Sequence, residues 1–286
     1  MNASVQANEA LGFASDARIL ILNNDDLGMY KAVNVAVVRS IEDGIASSCS
    51  LMVTCPGSRH AVKLLRERPE IAFGVHLTLF CDAGNLRWGP LTPREEVPSL
   101  LNVAGELFTD TEIDELMAQA RLDEVEQEFR AQIEHVLVAG LEPTHLDWHC
   151  LHDGGREDIF ELTVALAEEH GVAVRVSHEN ARQSLRRRGL LASDHDLVDS
   201  FDIELDGKAE RYARMVRELP VGLSEWAVHA ALGNDEARAG DPGGWRVRMT
   251  DYEFLMSPAS RELLRDEGIV VIDYRPLQAL WARGSI

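Results

Sequence analysis

Residues 18–28 read Arg-Ile-Leu-Ile-Leu-Asn-Asn-Asp-Asp-Leu-Gly. The aliphatic run predicts a strand over 18–23, covered on both faces as in a parallel sheet packed under helices. It delivers two adjacent carboxylates, Asp25 and Asp26, just past its C-terminal end. In parallel α/β architectures that end is where reacting groups and ligands collect. A helix N-cap followed by a turn would also use Asp here. Neighbouring carboxylates repel, however, so the pair calls for a cation or dedicated hydrogen bonds.

The strand-then-helix rhythm continues along the chain. Helical spacing over 30–43 stops before Gly44, and further strands are expected over 47–54, 71–78, 144–149, 172–176, 225–230 and 269–273. Helices are expected over 61–68, 111–139 with a break near Arg121, 158–171, 209–219, 251–267 and 276–283. Residues 79–106 form a long loop rich in Gly, Pro and charge, of the kind that serves as a lid or binding wall. Residues 180–200 read as an inserted loop with a short helix. No repeat or low-complexity linker divides the chain. The expectation is an α/β fold, an irregular (β/α) barrel of about seven parallel strands. It would form one domain over 17–286, preceded by a disordered or loosely attached arm over 1–16.

Composition narrows the function. The 286 residues carry 28 basic and 48 acidic side chains, a net charge of −20. That balance excludes a nucleic-acid binder, which needs a basic footprint, and a protein held on an anionic membrane surface. No apolar run approaches the ~20 residues that span a bilayer. The polar, acidic N-terminal stretch has neither the basic nor the apolar region of a secretory signal. Cys49, Cys55, Cys81 and Cys150 show no CxxC spacing. A reducing, cytoplasmic location is expected.

The richest stretch is Pro143-Thr144-His145-Leu146-Asp147-Trp148-His149-Cys150-Leu151-His152. Side chains alternate along a strand, so His145, Asp147 and His149 share one face and Leu146 and Trp148 the other. In a barrel the polar trio faces inward, where it is costly without partners. A metal, or hydrogen bonds around one, resolves that cost. His76, in Gly74-Val75-His76, and His229, in Glu225-Trp226-Ala227-Val228-His229, also close expected strands. A barrel brings these strand ends to one rim. One carboxylate with two imidazoles makes a three-donor set with open positions, the pattern of a catalytic divalent metal. The other Asp of the pair can then act as general base and a distant His as general acid.

Taken in order, these motifs resemble the YdjC family of carbohydrate (chitooligosaccharide) deacetylases. The family's N-A-D-D-F-G stands here as Asn23-Asn24-Asp25-Asp26-Leu27-Gly28, its G-x-H-x-x-L as Gly74 to Leu79, and its P-T-H-x-D-S-H-x-H-x-H as Pro143 to His152. Val228-His229-Ala230 matches a late H-P, and Arg248 to Leu255 a closing R-x-x-E-x-x-x-L. The resemblance runs from about residue 17 to 280. It implies a barrel like that of the polysaccharide (NodB-like) deacetylases, a Mg²⁺ or Zn²⁺ ion, and removal of an N-acetyl group from a small amino sugar or oligosaccharide. It implies Asp26, His76 and His149 as metal ligands, Asp25 as general base and His229 as general acid. His145, Asp147, His152 and Arg248 would support the site or touch substrate. Trp88 is a candidate platform for a sugar face, or a packing residue.

Trp148, Cys150 and Ala230 depart from the family pattern and alter the walls of the site rather than its metal set. The alternatives are a metal-dependent phosphoesterase on a similar barrel, for which no phosphate cradle is evident, and a non-catalytic sugar-binding relative. The expected partner is a small N-acetylated sugar, with a homodimer as a further expectation.

Overall fold

A computed structural model describes residues 7–82 and 84–284. β1 (Arg18–Leu27) runs through the middle of a sheet whose strand pairings are all parallel. It pairs β7 (Gly222–Val228) from Arg18 to Asn24. On its other side β8 (Val270–Val271) flanks its first half and β2 (Ser48–Leu51) its second half. In space the path runs β5 (Ala173–Val174), β4 (His145–Trp148), β3 (Phe73–Leu77), β2, β1, β7, β6 (Val198–Asp199). The two ends of this path, β5 and β6, are consecutive in the chain, and a backbone bond from Leu197 N to Ser177 O, 3.1 Å, links their flanks. The sheet is curled into a barrel left open along that seam, with helices outside it, and the expected parallel (β/α) barrel is the architecture found.

β1 is four residues longer than the apolar run predicts. Of the four, Asn24, Asp25 and Asp26 can stay in the strand because their polar side chains find partners inside the curled sheet. β6 falls in the stretch read as an insert. It is two residues long, too short to show an alternating pattern. The helical region after residue 111 breaks as expected, into Ile113–Gln119 and Leu122–Val138. The later helix over 251–267 is instead two, Trp245–Met256 and Pro258–Asp266, because Pro258 opens a helix but cannot continue one.

Part of the arm read as loose is packed. Helix Ala7–Ala10 buries Ala7 and Asn8 completely, and Ala7 N donates to Asp194 Oδ2 at 3.2 Å. Residues 1–6 lie outside the described residues. The 79–106 loop is folded down rather than free. Phe80, Cys81, Val97 and Leu100 are buried, and Glu128 accepts from Leu91 N and Thr92 N. Trp88 is also buried and donates its indole N–H to Phe80 O, 2.9 Å, so it anchors the loop rather than facing the cavity described below. No helix among the described residues is long and apolar enough to cross a membrane.

Two glycines give β1 and β3 their close neighbours. Gly28 has φ +103°, and a Cβ there would lie 2.5 Å from the Met52 carbonyl oxygen. A Cβ on Gly74 would lie 2.5 Å from the His145 ring. Gly28→Ala combines a forbidden φ with a backbone clash and is expected to cost about 2–4 kcal/mol. A urea midpoint unchanged from the parent would refute that account.

Candidate active site

β1 ends in a sharp turn, with Asp26 at φ 66° and Gly28 at φ 103°. Asp tolerates this left-handed region better than most residues. The two carboxylates then take separate arginines. Arg175 grips Asp25 with both terminal nitrogens, at 2.7 and 2.8 Å, and Arg248 Nη1 reaches Asp26 Oδ2 at 2.7 Å. That is how the repulsion of the adjacent pair is relieved in the protein itself.

The remaining oxygen of Asp26 faces two imidazoles. His76 Nε2 lies 3.4 Å from Asp26 Oδ1, and His149 Nδ1 lies 3.1 Å from it. Each of the three residues offers one donor atom, all within 4.8 Å of one another, and all three residues are buried. Three deprotonatable nitrogen and oxygen donors converging on one point fit a divalent ion. The outward nitrogens are also fixed. His76 Nδ1 lies 2.9 Å from Asp147 Oδ1, and His149 Nε2 lies 2.6 Å from Asp82 Oδ1. Carboxylates accept at those positions, so the other ring nitrogen of each His is turned to Asp26.

Below this layer the barrel interior is polar. Arg175 also bonds Glu225 through Nε, 2.7 Å, and reaches Asp147 Oδ2 at 3.1 Å. His145 stacks on Tyr274 with ring centroids 3.6 Å apart and contacts Ser50. Burial pushes His145 down to about 3, so this imidazole is neutral. Burial also opposes charge on Asp25, but Arg175 and His76 outweigh it and hold the carboxyl below its usual range. Against the same penalty, Arg248 and the two imidazoles hold Asp26 well below the usual range. For His76 the burial penalty is overcome by Asp147, then Asp26 and Asp25, which raise it to about 9.

The sequence-expected residues therefore separate into groups. Asp25, Asp26, His76, His149 and His229 meet at one cavity of about 560 Å³, with Arg248 beside Asp26. Asp147 supports His76 from below, and His145 lies deeper, away from the cavity. His152 reaches the rim, where its Nδ1 lies 3.1 Å from Ser177 Oγ. Leu146 and Trp148 point the other way, as alternation requires, and the Trp148 indole donates to Thr163 on helix Glu157–His170. Sequence reasoning missed Arg175, Asp82 and Glu225. Arg175 did leave a signal, a lone arginine within Val172-Ala173-Val174-Arg175-Val176. Asp82 left none.

Replacing Arg175 by Met takes the shared guanidinium from three buried carboxylates, Asp25, Asp147 and Glu225, at once. Loss of one partner from a buried ionic network typically costs about 3–5 kcal/mol. The Arg175→Met protein should lose stability on that scale in urea denaturation, and a loss below 1 kcal/mol, as for a surface pair, would contradict the network.

The chain is 33% identical over 269 residues to a carbohydrate deacetylase of Geobacillus stearothermophilus, covering 92% of this chain and 99% of the relative. It is 29% identical to a carbohydrate deacetylase of Brevibacillus brevis, covering 90% and 99%. A solved structure from Enterococcus faecalis V583, named for a proposed role in cellobiose-phosphate cleavage, superposes with a TM-score of 0.78 at 25% identity, covering 91% of this chain and 99% of the other. With a family model for YdjC-like protein matching residues 19–266, the chain belongs to the YdjC-like family.

Proposed function

We propose that this protein is a metal-dependent deacetylase that hydrolyses the N-acetyl amide of a small amino sugar or oligosaccharide. One observation carries the reading. The Asp26, His76, His149 set shares its cavity wall with two proton-handling groups, since Asp25 Oδ2 lies 4.0 Å from His76 Nε2 and 3.9 Å from His229 Nε2. The named activities of the relatives supply the substrate class.

Asp26, His76 and His149 would hold one divalent ion. Two imidazoles with one carboxylate suit zinc or a similar transition metal better than magnesium, which prefers oxygen donors. Such an ion, when bound, supplies Lewis acidity toward the amide carbonyl and makes water a stronger acid. Asp25 takes the proton from the attacking water. Its bidentate bond to Arg175 fixes the direction of that transfer, at some cost in basicity. His229 gives a proton to the departing nitrogen, so the C–N bond breaks to release an amine, and the acyl carbon gains the water oxygen to become acetate. Leu151 and Phe201 give the cavity apolar surface suited to a sugar ring.

The same cavity disfavours a phosphorylated substrate. Its lining arginines, Arg175 and Arg248, are both engaged by carboxylates, and among the described lining residues no arginine or lysine is left free. Neutral N-acetylated sugars should exceed their phosphate esters by at least about tenfold in kcat/KM. An equal or greater rate on the phosphate would contradict this charge argument.

Acetate release from a panel of N-acetylated sugars, with EDTA and then with added Zn²⁺ or Mg²⁺, tests the proposal directly. Release should stop with the chelator and return with metal. His76→Ala and His149→Ala should lose bound metal by elemental analysis, whereas the His170→Ala control keeps it. Asp25→Asn should keep metal and lose about 10²–10⁴ in kcat. Full metal occupancy in both ligand variants, or a normal rate in Asp25→Asn, would overturn the assignment.

A further inference from the structure

Behind His229, away from the cavity, lies a buried polar chain assembled from three separate segments. Ser200 opens the short 3-10 turn Ser200–Asp202 directly after β6, and its Oγ lies 2.8 Å from His229 Nδ1. The same hydroxyl donates to Asp251 Oδ2 at 2.5 Å, where the His229 backbone N–H also donates at 2.9 Å. Asp251 sits on helix Trp245–Met256. Its other oxygen accepts the Tyr212 hydroxyl at 2.8 Å and faces Lys208 Nζ at 2.7 Å, both from helix Lys208–Arg217. Ser200, Tyr212, Lys208 and Asp251 are all buried. Lys208 is one of only three lysines in a chain that otherwise uses arginine, and it lies against this carboxylate.

The proton positions follow from what each group can do. An ammonium and a backbone N–H only donate. Burial, with Asp251 facing it, holds the Tyr212 phenol far above its usual range, so its hydroxyl keeps its proton. A carboxylate ringed by such donors only accepts. The single hydroxyl proton of Ser200 is therefore committed to Asp251. Its oxygen is left to accept from His229, so Nδ1 carries the hydrogen and Nε2 faces Asp25. The rival carboxylate, Asp199, is 3.9 Å from Nδ1 and accepts from Phe201 N instead. Phe201 packs against the imidazole with ring centroids 4.7 Å apart and interplanar angle 78°, limiting its rotation.

We propose that Ser200 and Asp251 are positioning residues that lock His229 in the Nδ1–H tautomer, with Lys208 as the buried counter-charge, so that Nε2 alone exchanges protons at the cavity. The catalytic consequence rests on the reading of His229 as proton donor to the leaving nitrogen. The tautomer itself does not.

Nitrogen NMR of protein labelled with ¹⁵N-histidine separates the two. Neutral His229 in the parent protein should show a protonated Nδ1 and a bare Nε2. Ser200→Ala should shift the population toward Nε2–H, and Ser200→Thr, which keeps the hydroxyl, should restore the parent pattern. On an N-acetylated sugar, Ser200→Ala should lose between about ten- and a thousand-fold in kcat with KM little changed. A parent Nε2–H tautomer, an unmoved tautomer in Ser200→Ala, or a tautomer that moves only in Asp199→Asn would each overturn the lock. A tautomer that follows Ser200 while kcat does not would uphold the lock and remove His229 from the proton-donor role.

Discussion

The structure depends on one constraint, the neutralisation of carboxylates buried inside a curled sheet. Asp25, Asp26, Asp147 and Glu225 all point into the interior with almost no solvent contact. An unpaired carboxylate there would cost several kcal/mol. Arg175, one residue past β5, answers three of them, on β1, β4 and β7. Arg248 answers the fourth from a helix of the C-terminal third of the chain. The groups that hold strands in place are thus the groups that orient the site. Positioning Asp25 and stabilising the barrel are one interaction.

The departure from a closed barrel also has a use. β5 and β6 are only two residues long, and short edges are a common protection against unwanted strand pairing. They leave the sheet open on one side. The segments flanking that seam, through Ser177, Leu197, Asp199 and Phe201, form part of the cavity wall. The opening that interrupts the hydrogen-bonded circuit is therefore where the site gains walls that a closed sheet would not offer. Asp82, from the loop after β3, covers His149 from the other side, while the rest of that loop is anchored by Trp88 and Glu128.

Much of this was legible residue by residue. The run at 18–23 reads as a strand because aliphatic side chains dominate it, and the period of two places His145, Asp147 and His149 on one face. Legibility failed where a partner lies far away in sequence. Asn24 to Asp26 read as lying past the strand's end because polar residues usually leave a sheet, yet distant partners such as Ser40, Arg175 and Arg248 keep them within the strand. β6 exists only because β7 pairs with it. Residues 7–16 read as loose because what ties them down lies far along the chain: helix Ala7–Ala10 packs against β7, and Ala7 N donates to Asp194.

The sequence by itself determined the βα rhythm, the parallel barrel, and the five strand-end residues Asp25, Asp26, His76, His149 and His229, because periodicity and strand polarity are local properties. Tertiary structure alone decided which nitrogen of each histidine faces Asp26, which arginine answers which carboxylate, and what stands behind His229. Those outcomes are set by hydrogen-bond donors and acceptors brought together from positions tens to hundreds of residues apart. No local pattern encodes them, because each depends on a distance that exists only once the sheet has curled.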